Sequence, residues 1–332
     1  MPRSHPVLGL DEKTEREAID DYEWACQTII TMGNIVAQNL NGTVFQARPL
    51  RTSAANQVSP DTDVKPDVEI EAPVAPTAAR YRAVNEIKAN LPRDQEHWGE
   101  DIDQLRKYDD DLGGWSRAFP SPHDILFTTN ELRVQAVNDY VRSNGVRFER
   151  NFAILHSTRM VQTDTFILVR KDFGEISDSI LETKLSAGIA VNQIHLIREM
   201  SQMKFYDARP PVVYTMIIIW DHVLKDFTNF RSLRALRGRA AFPIEITIDQ
   251  IRDKLGRFAP ETNPTCIRRE WIKEALDGFF DIGVASVLNE DQGKYEIKFR
   301  PQAGRDWIFE RIRKSKAGEL PSPTETLDRF QK

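Results

Sequence analysis

Asp67, Glu86 and Lys88 combine residue types and spacing suited to chemistry on a phosphate ester. Asp67 opens Val68-Glu69-Ile70, whose alternation of apolar and acidic side chains predicts a half-buried strand. Arg80 to Lys88 alternates in the same way, with Tyr81, Ala83, Asn85 and Ile87 on one side and Arg82, Val84, Glu86 and Lys88 on the other. Glu86 and Lys88 are therefore neighbours on one face of a strand, with a second carboxylate beside them if the two strands form a hairpin. Two carboxylates can hold a hard divalent cation through oxygen, and the cation polarises a phosphoryl oxygen and acidifies a bound water. A lysine at that point orients the water or offsets the charge that develops. Gln104 and Tyr108 lie four residues apart on a charged helical segment and so fall side by side.

Pro66-Asp67, then Glu86-Ile87-Lys88, then Gln104-x-x-x-Tyr108 resembles the PD-(D/E)XK nuclease superfamily, and the glutamine-to-tyrosine element is similar to its RecB-type branch. The resemblance implies Asp67 and Glu86 as ligands of Mg2+ or Mn2+, the backbone carbonyl of Ile87 as a third ligand, and Lys88 as the residue that positions water. It implies that Gln104 and Tyr108 support the lysine or contact DNA. It spans at most about residues 10 to 170. In that superfamily the first helix often carries a further acidic residue at the site. Glu23 is the candidate here, against a reading as part of a solvated helix face.

The elements that must position these residues follow from periodicity and turn chemistry. Residues 11 to 40 predict one long helix, capped by Asp11 and ended by Asn41-Gly42. A short strand at 43–47 precedes a polar loop to Lys65, and Pro73-Val74-Ala75-Pro76 is the turn expected between the two site strands. A helix is predicted within 92–113, where His97 is a candidate phosphate contact or simply a packing residue. A buried strand over 125–127, a helix over 131–144 closed by Gly145, and strands over 152–156 and 165–170 fit a strand-helix-strand crossover. Residues 177 to 205 read mainly as helix.

From Pro210 the pattern changes to an apolar helix over 212–227, a strand over 242–248, a helix started by Thr247 or Asp249, a helix over 268–280, and a hairpin of 284–288 with 294–299. This order resembles a winged helix-turn-helix. Arg268, Arg269 and Lys273 on the 268–280 helix are candidate nucleic-acid contacts, as are Arg231, Arg234 and Arg237 (with Arg239) on a three-residue stripe. Glu270, Glu274 and Asp277 dilute the field of the first group, which leaves a protein-binding or purely architectural winged helix equally open, and the second group also suits a solvated or salt-bridged linker.

Composition bounds the rest. The chain has 332 residues, enough for two domains, and 45 basic against 50 acidic residues give a net charge of -5, so any DNA contact must come from local patches. Two cysteines, Cys26 and Cys266, lack ligand spacing and support neither a disulfide framework nor a zinc site. There is no run of about 18 apolar residues, and Met-Pro-Arg-Ser-His leads into no signal core, so a cytoplasmic protein with no membrane partner is expected. No phosphate-cradling glycine loop, G-x-S-x-G elbow or internal repeat is present.

The expectation is an α/β restriction-endonuclease-like core, a mixed central sheet flanked by helices over 1–205. A winged-helix domain over 206–302 and a basic helix with a tail over 303–332 follow. The expected activity is Mg2+-dependent hydrolysis of DNA phosphodiester bonds in restriction, defence or repair, with a homo-oligomer or the subunits of a defence complex as further partners. The alternative is a catalytically inactive nuclease-fold subunit that binds DNA or serves assembly.

Overall fold

The computed structural model describes residues 12–39, 44–46, 66–73, 80–89, 98–109, 123–161, 165–206, 208–227, 241–259 and 266–319. The chain divides into two compact units, one running from Glu23 to Asp207 and one gathering Ala208–Ala259 and Pro264–Lys332 with the chain up to Tyr22. The architecture is mixed α/β.

In the first unit α1 (Glu12–Asn39, shared with the second) is followed by β1 (Val44–Gln46), β2 (Val68–Pro73), β3 (Arg80–Lys88), α2 (Trp98–Lys107), β4 (Asp124–Asn130), α3 (Glu131–Ser143), β5 (Phe152–Val161), β6 (Thr165–Gly174), α4 (Ser179–Ala187), β7 (Ile189–Asn192) and α5 (Ile197–Gln202). The seven strands lie side by side in chain order. β3, β4 and β5 are parallel, and the remaining pairs are antiparallel. Parallel neighbours need a crossover, and α2 and α3 supply it. α3 starts sharply because the Asn130 side chain accepts from the Leu132 N–H.

One face of the sheet is apolar by register. Val84 pairs with Ile125, and Phe127 pairs with Ile154. These four pack with Trp98, Ile102, Leu105 and Tyr108 from the α2 region and with Val134, Val137 and Val141 of α3. Each large side chain so buried contributes about 1.5–3 kcal/mol. On the other face the second half of α1 lies over the sheet, where Thr28 Oγ1 donates to Ser157 Oγ at 3.1 Å and Trp24 Nε1 donates to the Ser157 carbonyl.

Most predicted elements stand where periodicity puts them, with one correction in this unit. The stretch 177–205 is not mainly helix, because a short edge strand, β7, interrupts it and pairs with β6. Gly188, at φ 85°, ends α4 and turns the chain into that strand.

The second unit holds α6 (Val212–Ile218), β8 (Phe242–Thr247), α7 (Ile248–Leu255), α8 (Arg269–Asp281), β9 (Ala285–Asn289), β10 (Lys294–Phe299) and α9 (Arg305–Lys316). Its sheet has the order β8-β10-β9 and is antiparallel throughout. The predicted single helix over 212–227 is α-helical only to Ile218 and continues as a π turn and then a 3-10 turn. Trp220 sits in that π turn, fully buried against Phe279, Phe299 and Trp307, with Nε1 donating to the Ala303 carbonyl at 2.9 Å. α7 begins in a reciprocal cap, Thr247 Oγ1 accepting from the Gln250 N–H while the Gln250 side chain accepts from the Thr247 N–H. Among the described residues, no helix is long and apolar enough to cross a membrane.

Candidate active site

Asp67, Glu86, Lys88, Gln104 and Tyr108 converge. The β2–β3 ladder ends with Val68 opposite Asn85, and Asp67 and Glu86 are the residues that follow at that end. Asp67 Oδ2 accepts from the Ile87 N–H at 2.8 Å, a buried bond. In an antiparallel ladder a residue's N–H and C=O project toward the same neighbouring strand. The Ile87 carbonyl therefore faces the β2 side as well.

Glu86 is almost fully buried, at 1% exposure. Its Oε1 pairs with Lys88 Nζ at 3.1 Å, and its Oε2 accepts from the Tyr108 hydroxyl at 2.6 Å. The Tyr108 oxygen in turn accepts from Gln104 Nε2 at 2.9 Å. Burial, and after it the Glu86 carboxylate alongside, push the Tyr108 phenol well above its usual pKa, which keeps the hydroxyl a donor. Lys88 is the exposed member, with about a third of its side chain open to solvent.

Tyr108 is held from two sides just past the end of α2. Its amide donates to the Leu105 carbonyl, and its own carbonyl accepts from His123 Nε2 at 2.6 Å. A carbonyl only accepts, so Nε2 carries the proton in that bond. The next residue, Asp109, receives the amides of Glu149 and Arg150 on its carboxylate. The i to i+4 spacing announces the pairing of Gln104 with Tyr108. His123 gives no signal in the sequence, since its role depends on where the α2 exit meets the start of β4.

The oxygen donors available to a cation are the carboxylates of Asp67 and Glu86 and the Ile87 carbonyl. Among the described residues, no group of three or more His, Cys, Asp and Glu side chains is arranged to hold a metal. Two carboxylates with a carbonyl nevertheless suit Mg2+, a hard ion that takes one or two carboxylates and keeps several waters. The residues present fit such an ion.

Glu23 lies on α1, whose neighbouring Trp24 and Thr28 cover the opposite face of the sheet, away from Glu86 and Lys88. Of the candidate nucleic-acid contacts, Arg231, Arg234 and Arg237 lie outside the described residues, as does His97. Arg268, Arg269 and Lys273 are exposed at the start of α8. Arg269 forms an ion pair with Asp249, and the Arg268 guanidinium lies 5.5 Å from the Trp271 ring centroid. Comparison with protein-family models, with curated proteins and with solved structures gives no match for this chain.

Proposed function

We propose that this chain is a divalent-cation-dependent DNA nuclease of the PD-(D/E)XK kind, with a winged-helix module in its second unit. The observation that carries the reading is the bonded chain Gln104–Tyr108–Glu86–Lys88 beside Asp67, five residues spread over about forty positions. In this reading Mg2+ bound to Asp67, Glu86 and the Ile87 carbonyl supplies Lewis acidity for the scissile phosphate. The chain's own residues do the rest. Tyr108 fixes the Glu86 carboxylate through one oxygen and leaves the other for the ion. Lys88, on the solvent side, holds the attacking water and offsets charge on the phosphoryl oxygens. Gln104 keeps the Tyr108 hydroxyl pointed at Glu86.

The strand order β8-β10-β9, with α7 and α8 between the first strand and the hairpin, supports the winged-helix part. In that fold α8 is the recognition helix, and Arg268, Arg269 and Lys273 on it would meet phosphates. The small number of acidic side chains at the site favours a second reading, a nuclease-fold subunit of a DNA-bound or defence assembly that does not cleave.

Incubation of the purified protein with linear and single-stranded DNA in Mg2+ or Mn2+ separates the two. The nuclease reading expects cleavage that chelation stops and that Asp67→Ala and Lys88→Ala each abolish. Cleavage unchanged in either variant refutes it. Calorimetric titration with Mn2+ should show binding that Glu86→Ala removes, whereas the assembly reading expects no such heat and a sedimenting species larger than a monomer.

A further inference from the structure

Directly paired residues on adjacent strands project from the same face of a sheet. Lys88 pairs with Thr129, and Thr129 pairs with His156. The three therefore form a row across β3, β4 and β5, on the face that carries Glu86. With strands about 4.8 Å apart, Thr129 is one spacing from Lys88 and His156 about 10 Å away.

The far end of the row is made by an irregularity. Ile154 pairs with Phe173 but Leu155 pairs with Lys171, which leaves Asp172 as an extra residue on β6. Such a bulge re-aims a side chain. Here Asp172 Oδ2 lies 2.5 Å from His156 Nδ1, and Arg170 holds the other carboxylate oxygen at 2.8 Å. A carboxylate only accepts, so the His156 proton in this bond sits on Nδ1 and Nε2 is left as the acceptor. Thr129 is 0% exposed and His156 2%. Thr129 Oγ1 and His156 Nε2 are both buried with no hydrogen-bond partner among the described residues. Buried polar atoms are nearly always bonded. Two unbonded ones standing next to a lysine of the candidate site point to a partner they take in another state.

We propose that Thr129, His156 and Asp172 are a second anchor for Lys88, used once Glu86 coordinates a divalent cation. The proposal rests on the nuclease reading. Lys88 holds Glu86 Oε1 at 3.1 Å, a contact opposed by repulsion from a doubly charged ion on the same oxygen. Thr129 Oγ1 can accept from Lys88 while its own proton goes to His156 Nε2, and His156 Nδ1–H ends on Asp172. Thr129 Oγ1 and His156 Nε2 then each have a partner. Lys88 stays at the mouth of the site instead of swinging into solvent, and the three residues are positioning residues that act through it.

The test uses the full chain with 15N-labelled histidine, MgCl2 as the probe, and long-range 15N–1H spectra in which His156 is assigned by triple resonance and checked with His156→Gln. Mg2+ should shift the His156 Nε2 signal, and Lys88→Ala should remove that shift. Thr129→Val, nearly isosteric, should lower kcat for DNA cleavage about 10- to 100-fold with half-saturating Mg2+ unchanged, and Thr129→Ser should restore it. If calorimetry shows Mg2+ binding while His156 stays silent, or if Thr129→Val cleaves like the wild type, the second anchor is wrong and the nuclease reading stands. If the wild type binds no Mg2+, both fall.

Discussion

Tyr108→Phe removes a single oxygen from the centre of the candidate site and leaves the ring in the apolar cluster of Trp98, Ile102 and Leu105. No cavity term enters, because the ring volume is kept. The substitution deletes a 2.6 Å hydrogen bond to a carboxylate that is 1% exposed, together with the acceptor for Gln104. Gln104 is only half-buried and can turn to water, so its share is small. A hydrogen bond to a charged group is worth about 1.5–3 kcal/mol, and Glu86 has no solvent to replace it, which sets the expected cost at about 2–3 kcal/mol. Urea denaturation at pH 7.5, followed by tryptophan fluorescence, measures it. In a Glu86→Gln background the partner is neutral, and the same substitution should cost only about 0.5–1.5 kcal/mol. A destabilisation below about 0.5 kcal/mol in the wild-type background, or an equal one in both, would refute the claim that Tyr108 holds a buried charge.

The same hydroxyl gives an alkaline signature. Burial and nearby carboxylates raise the folded-state pKa of both Tyr108 and Tyr81 above the ordinary tyrosine value. Their contribution is complete below about pH 10 and is lost as pH rises above it, because the unfolded chain releases protons that the folded one keeps, at up to about 1.4 kcal/mol per pH unit for each group. Urea midpoints between pH 9 and 12 should fall less steeply in Tyr81→Phe and in Tyr108→Phe. In the second unit, Thr247→Ala removes one arm of the reciprocal cap and should cost about 1 kcal/mol in thermal unfolding, with Thr247→Ser recovering most of it. If α8 meets DNA, replacing Arg268, Arg269 and Lys273 by alanine should reduce the dependence of log K on log salt by about 0.9 for each phosphate no longer neutralised, and an unchanged slope would place DNA elsewhere.

The local part of this molecule is written plainly in its sequence. Alternation from Arg80 to Lys88 gives the strand and the face, Gly145 closes α3, and Thr247 opens α7. β7 is hidden because four residues between a helix and a 3-10 turn are too few for a period to emerge, and only its pairing with β6 makes it a strand. His123, Thr129, His156 and Asp172 are hidden for a different reason. His123 bonds a carbonyl 15 positions away, Thr129 pairs with Lys88 41 positions away, and His156 meets Asp172 at a bulge, and neither distance nor bulge has a signature in composition.

Register links the two parts. Side chains alternate with a period of two, so sliding β3 by one residue against β4 would turn Glu86 and Lys88 to the α1 side and bring Asn85 and Ile87 in their place. Val84 forbids the slip, because the same move would take it out of the cluster with Ile125 and Phe127. The candidate site is thus held in place by apolar residues two positions from it, which take no part in its chemistry. It follows that Val84→Thr, a change of polarity with little change of volume, should loosen Glu86 and Lys88 together. Hydrogen exchange at the Ile87 amide, bonded to Asp67, is the local reporter: it should quicken in that variant more than exchange in β8 or β10, and equal protection in both sheets would show that the apolar row does not hold the site.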